Sequence, residues 1–203
     1  MLTLRKPSKQ DLETLLAAAH ELPVTYEPVG CTCSGAPRGF ARDEYEVQLG
    51  HGSAVFEAAC DAIGRWKMFS PDVVIVGDEC PLHVGAEVVL GVRCFGVWEY
   101  GACRTVYTID QQGPQQRRGF AYGTLPGHVE SGEERFEICW DHADDSVWFR
   151  VTAISHPVHP LAWAIYPLAR FFQKRFARSM LRTMREVVAR EREQENRLTK
   201  EAS

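Results

Sequence analysis

The chain has 203 residues, of which 45% are hydrophobic, 25% charged and 10% aromatic, and its formal net charge is −4. These proportions suit one globular domain with a core of its own, and they exclude a disordered chain, a collagen-like repeat and a disulfide-stapled miniprotein. The charge is unevenly spread. Residues 1–156 carry 13 Lys and Arg against 22 Asp and Glu, a balance of −9, and residues 157–203 carry 10 against 5, a balance of +5.

The N-terminus lacks the apolar run and small-residue cleavage site of a secretory signal, and no stretch is apolar enough to span a membrane. Seven scattered cysteines fit reduced thiols, so the expected compartment is the cytoplasm. Cys31 and Cys33 form a C-x-C pair with no second pair at zinc-finger spacing, so neither a metal nor a cofactor is expected. Ser8 followed by Asp11 is a capping pattern, and Leu12, Leu15, Leu16 and Ala19 recur at helical spacing, which predicts a helix over 9–21. Residues 23–40 carry three prolines and three glycines and read as loop. Arg42–Leu49 alternates as a strand. Ser53 then reads as the N-cap of a helix bearing Val55, Phe56, Ala59, Cys60 and Ile63 on one face.

From Val73 to Ser155 the pattern has period two. Strands are predicted at 73–76, 86–95, 102–110, 118–124, 133–140 and 146–155, with a turn around Trp98 between Gly96 and Gly101. Thr105, Tyr107 and Ile109 fall on one face of their strand, as do Phe120 and Tyr122, and Phe136, Ile138 and Trp140. From Leu161 the apolar positions 165, 168, 169, 172, 176, 180, 184, 187 and 188 mark a long helix, kinked or restarted at Pro167. Its other face carries Arg170, Lys174, Arg178, Arg182 and Arg185, and residues 167–185 hold no acid. The expected class is α+β: a curved antiparallel sheet of about six to seven strands wrapped around a long C-terminal helix. The expected organisation is an N-terminal helix and loop over 1–39, one domain over 40–198, and a frayed tail at 199–203.

This element order, with a tryptophan after the first helix of the domain and Gly85 in an early turn, resembles the helix-grip superfamily of lipid-transfer (START), polyketide-cyclase and birch-pollen-allergen proteins. Residues 120–136 read FAYGTLPGHVESGEERF. With Trp66-Lys67-Met68-Phe69 upstream and Ser155-His156-Pro157 downstream, they resemble a family known only as domain of unknown function nineteen-ninety. That resemblance implies a fold and no reaction.

Pro126-Gly127 is a turn pair, so the connection between two strands presents His128 and Glu130, with Glu133 and Glu134 at the start of the returning strand. A histidine beside carboxylates is an acid/base set, and Tyr122 and Thr124 precede it on one strand face. The plainer reading is a hydrogen-bonded turn with solvated or paired glutamates. Arg104 can orient an anionic ligand end or lie on a wet sheet face. Trp66 and Phe69 sit where helix meets sheet, as ligand lining or as core. No phosphate loop, H-E-x-x-H or G-x-S-x-G is present.

Three functions follow. The first is binding of an apolar or amphipathic small molecule between sheet and helix by Trp66, Phe69, Arg104, Tyr122 and Thr124. The second is a cofactor-independent cyclase, dehydratase or hydrolase in which His128, Glu130 and Glu133 move protons. The third is an interaction module that docks through Lys174, Arg178 and Arg182 on a partner or a membrane surface. The acidic body argues against nucleic acid.

Overall fold

The structure, a computed structural model, describes residues 1–77, 82–94, 96–158 and 166–201. Its elements are β1 (Leu2–Thr3), α1 (Lys9–Ala19), α2 (Cys31–Ser34), β2 (Ala41–His51), α3 (Ser53–Ile63), β3 (Val74–Gly77), β4 (Glu87–Cys94), β5 (Val97–Gln111), β6 (Gln115–Thr124), β7 (Glu130–Asp141), β8 (Ser146–Pro157) and α4 (Tyr166–Glu201). The strands form one antiparallel sheet in the order β2-β8-β7-β6-β5-β4-β3, with β1 added beside β5. From β3 to β8 each strand pairs with the next in sequence, the meander that short turns between alternating segments dictate. The α+β reading stands, with eight strands rather than six or seven.

The inner face of the sheet packs under α3 and α4. Phe120, Phe136, Ile138, Phe149 and Val151 point inward and meet Phe56 and Ile63 of α3 and Met180, Met184 and Val188 of α4 in one buried cluster. The centre of the grip is therefore solid protein, because six or more large side chains interdigitate there at full burial. Helix α4 has Pro167 in its first turn, where a missing N–H costs no hydrogen bond. Leu161 and Ile165, expected to open this helix, lie outside the described residues. Helix α1 is capped as expected: Ser8 Oγ accepts from Asp11 N and Asp11 accepts from Ser8 N. The Ser53 cap does not form. Gly52, at φ 88°, takes the N-cap position and Ser53 is the first helical residue.

Two local departures decide which side chains face which way. The turn expected around Trp98 is absent, and β5 runs straight through Gly101 for 15 residues. In addition, the register between β5 and β6 slips between Thr105 and Tyr107. This bulge reverses the alternation, so Thr105 stands opposite Tyr122 on the inner face while Tyr107 stands opposite Ala121 on the outer face. Thr105, Tyr107 and Ile109 do not share a face.

The outer face carries the N-terminal segment. Arg104 bonds the Glu87 carboxylate at 2.6 and 2.9 Å and donates to the carbonyls of Ala19, His20 and Leu22, so a cation closes the C-terminal end of α1. Further along, Glu133 is buried beneath the loop that leads to α2. Its carboxylate accepts from Tyr26 Oη at 2.6 Å, Gly30 N at 2.7 Å, Thr32 N at 2.9 Å and the Thr32 hydroxyl. Four donors replace the water that burial removes. Glu133→Ala is expected to lower the free energy of unfolding by about 3 kcal/mol, because buried donors then lack an acceptor. Urea denaturation reads this directly, and a loss under about 1 kcal/mol would show that this carboxylate does not hold the strap.

Candidate functional site

Strand alternation sends Glu133 outward and Glu134 inward. On the inner face Glu134 stands directly opposite Tyr122 of β6, and the Tyr122 hydroxyl donates to its Oε2 at 2.6 Å. Phe136 lies two residues along β7 and packs against Tyr122, ring centroids 5.3 Å apart. The aromatic wall above them comes from the end of α3. Trp66 N bonds Ile63 O and Lys67 N bonds Ala62 O, the two hydrogen bonds of a Schellman ending. Trp66 thus fills the left-handed position that glycine usually takes, at φ 56°. A tryptophan held at positive φ is strained, and the surrounding contacts fix it. Its ring stacks on Phe69 at 6.1 Å and meets Phe120 edge-on at 5.2 Å. Phe69 in turn stacks on Phe176 of α4 at 5.9 Å.

His128 joins this face from the β6–β7 connection. Its ring lies over Gly101, where a Cβ would stand only 2.2 Å from Cδ2, so glycine in the middle of β5 makes room for the imidazole. His128 Nδ1 accepts from Glu130 N at 3.3 Å. Glu130 opens β7 instead of lying in the loop, and Gln173 and Ser155 stand around its carboxylate. Glu99 completes the group. It is on β5, two residues from Gly101 and on the same face, and Cys103 lies between the charges of Glu134 and Glu99.

These groups share an unusual environment. Burial pushes the Glu134 carboxyl up to about 7, helped by the Glu130 charge and opposed by the Tyr122 hydrogen bond. Burial likewise raises Glu99 to about 7, again with Glu130 adding to the effect and the Met1 amine opposing it. Glu130 is raised by burial as well. Burial, with repulsion from the Met1 amine, lowers His128 to about 4, so it is neutral at pH 7. Yet His128, Glu99, Glu130 and Glu134 all keep part of their surface accessible. The four groups are thus partly buried side by side at the polar end of the inner face.

The residues singled out in the sequence divide accordingly. The structure brings His128, Glu130, Tyr122, Trp66 and Phe69 to the inner side. Thr124 stands at the rim, where its hydroxyl accepts from Gly132 N at 3.0 Å and bonds the Thr25 hydroxyl at 2.6 Å, so it closes the hairpin. Glu133 and Arg104 are on the other face of the sheet, fully engaged in holding the N-terminal segment. Glu134 was named only as a companion of Glu133, and Glu99 was missed. Glu134 is in phase with Phe136 and Ile138, so alternation alone marks it as inward, whereas Glu99 was hidden by the expected turn.

Elsewhere, an open depression of about 650 Å³ between α1 and the β3–β4 edge contains none of these inner-face groups. On α4, Arg170 does not belong to the outward basic stripe. Both of its terminal nitrogens bond the Asp43 carboxylate at 2.5 Å. Lys174, Arg178, Arg182 and Arg185 are exposed, and Phe171 above them is 58% exposed. Among the described residues no three His, Cys, Asp or Glu side chains converge as a metal site, and no helix is long and apolar enough to cross a membrane.

Comparison with known proteins adds the following. The family described as Domain of unknown function (DUF1990) matches residues 25–183. A UPF0548 protein of Deinococcus radiodurans is 35% identical over 196 residues, covering 91% of this chain and 97% of the relative. A UPF0548 protein of Dictyostelium discoideum is 31% identical over 195 residues, covering 87% and 90%. Among solved structures, the Zhui aromatase/cyclase of Streptomyces sp. R1128 superposes with a TM-score of 0.50 at 16% identity, covering 74% of this chain and 94% of that one.

The raised Glu134 carboxyl carries a pH signature. Its folded value of about 7 exceeds the ordinary 4.5, so the folded protein holds this proton more tightly than the unfolded chain. Its contribution to stability is complete below about 4.5 and is lost as pH rises through 7. Glu134→Gln is therefore expected to lose less stability than the parent between pH 5 and pH 8 in urea titrations. Superimposable pH profiles for the two proteins would contradict this.

Proposed function

This chain belongs to the DUF1990 family and has a helix-grip fold, and on that premise we propose that it binds an amphipathic small molecule in a recess at the polar end of the inner face. The observation that carries this reading is the Tyr122–Glu134 pair at 2.6 Å, set among desolvated yet accessible titratable groups and bordered by Phe69, Phe176 and Leu90. Apolar walls with a few convergent polar groups are what a small-molecule site requires. The ligand occupies this polar end of the grip, since the aromatic centre is filled by the protein itself. A reducing, cytoplasmic setting fits the free thiols of Cys31, Cys33, Cys60, Cys103 and Cys139.

The test uses the neutral fluorescent probe N-phenyl-1-naphthylamine, alongside native mass spectrometry for a co-purifying compound. Saturable one-site binding is expected. Leu90→Trp, which fills the recess from β4, is expected to abolish it while thermal unfolding stays cooperative. Undiminished binding to a folded Leu90→Trp variant would place the probe elsewhere and end this reading.

A second reading, catalysis without a cofactor, is favoured by one observation: a carboxyl near 7 exchanges protons efficiently at neutral pH. In it Glu134 is the acid/base and Tyr122 donates to developing negative charge on a bound ligand. The proton-moving part expected of His128 passes to Glu134, because a histidine held near 4 stays neutral. For any ligand that is turned over, Glu134→Gln is expected to lower kcat about 100-fold or more with binding retained, and the parent to show an apparent pKa near 7. A variant that keeps its kcat would remove Glu134 from the chemistry.

A further inference from the structure

On the outer face of the sheet, away from the ligand site proposed above, a depression of about 390 Å³ opens across β2, β8 and β7, with Arg117 of β6 at its border. Glu137 stands among the arginines that line it. On β7 it follows Arg135 by two residues, and it is directly opposite Arg150 of β8 and Gly119 of β6, which puts no side chain beside it. Glu137 is 2% exposed, and it opens on the depression. Among the described residues its carboxylate accepts no hydrogen bond. A carboxylate that has lost its water and gained no donor is a costly arrangement, and a ligand with a hydrogen to donate relieves it.

Two of the cations around it are also without an acid. Glu44 pairs with Arg42, and Glu46 pairs with Arg150 at 3.0 Å. Arg135 lies in the field of Glu137 but bonds only neutral atoms, the Cys33 sulfur at 3.5 Å and the Thr152 hydroxyl at 3.4 Å. Arg117 donates to Gln115 Oε1 at 2.7 Å, and its Nε has no partner. That Nε is the one fully buried side-chain nitrogen or oxygen among the described residues that lacks a hydrogen bond. Arg117 and Arg135 thus want an acceptor while Glu137 wants a donor, two positive charges against one negative.

We propose that this depression binds a singly protonated phosphate group. Its O–H donates to Glu137, and its unprotonated oxygens accept from the Arg117 and Arg135 forks. Its single negative charge makes up the difference between the two arginines and the one glutamate. Other charged groups answer only part of this demand. A carboxylate brings no hydrogen to Glu137 and is repelled by it. An ammonium group is repelled by the arginines, and a zwitterion leaves the difference in charge as it was. The depression is larger than a phosphate group and leaves space for a small organic body attached to it.

The test compares phenyl phosphate with phenyl sulfate by isothermal titration calorimetry on the full chain at about pH 5.5. The two share a shape, and both are chiefly singly charged there, because a phosphate ester gives up its second proton at about pH 6. They differ by one proton, which the sulfate lacks. Phenyl phosphate is expected to bind at least fivefold more tightly. Glu137→Gln, whose amide can donate where the carboxylate only accepts, should bring the two affinities within twofold of each other while N-phenyl-1-naphthylamine binds as before. Equal affinities in the parent, an unchanged preference in Glu137→Gln, or no binding of phenyl phosphate at millimolar concentration would each overturn the assignment. Arg117→Gln reads the site independently if Glu137→Gln fails to fold. It should weaken phenyl phosphate at least threefold, and undiminished binding would again overturn the assignment. Inorganic phosphate identifies the source of the group: weaker binding than phenyl phosphate assigns a phosphate ester, and equal binding assigns free phosphate.

Discussion

A carboxylate can leave water only if something replaces its hydration, and this protein answers that demand in opposite ways at two adjacent residues. Glu133 and Glu134 are neighbours on β7, and the pleat of the strand sends them to opposite faces. On the outer face Glu133 receives four donors and needs nothing more. On the inner face Glu134 receives one, and the balance is made up by a raised affinity for a proton. The first arrangement fastens the N-terminal segment to the sheet. The second leaves a carboxyl that keeps its proton to higher pH. One peptide bond separates the two arrangements.

The inner face is graded from apolar to polar along its strands. At one end Phe120, Phe136, Ile138 and Phe149 interlock with α3 and α4 and leave no room. At the other end the inward positions become Glu134, Glu130, Cys103 and Glu99, and the imidazole of His128 covers the backbone of Gly101. The packed end gives the sheet a rigid base, so the polar end can carry strained or under-bonded groups without unfolding. Trp66 marks the boundary. Its positive φ is set by the ending of α3, and its ring is clamped between Phe69 and Phe120.

Most of this fold was legible in the sequence, because period two and period 3.6 differ plainly in segments of this length. The capping box at Ser8, the meander from Val73 to Ser155 and the long final helix all came from such patterns. The placement of Trp66 and Phe69 where helix meets sheet followed from element order. What escaped had physical causes. Gly101 has the composition of a turn but is a glycine required by a ring packed on a strand, and misreading it hid Glu99. The outer placement of Arg104 and Glu133 depends on long-range hydrogen bonds to residues 82 to 107 positions away, which no local pattern contains. Glu134 was within reach, since it keeps step with Phe136.

The bulge in β5 ties the two faces of the sheet together. Before it, Glu99 and Cys103 face inward; after it, Tyr107 faces outward and bonds Thr32 in the strap at 2.5 Å. Restoring a regular ladder there would keep one set in place only by turning the other round. Chain length in this strand is thus a structural quantity in its own right. An insertion or deletion of one residue between Gly101 and Tyr107 would turn either the inward pair Glu99 and Cys103 or the outward Tyr107 to the opposite face, whatever residue is gained or lost.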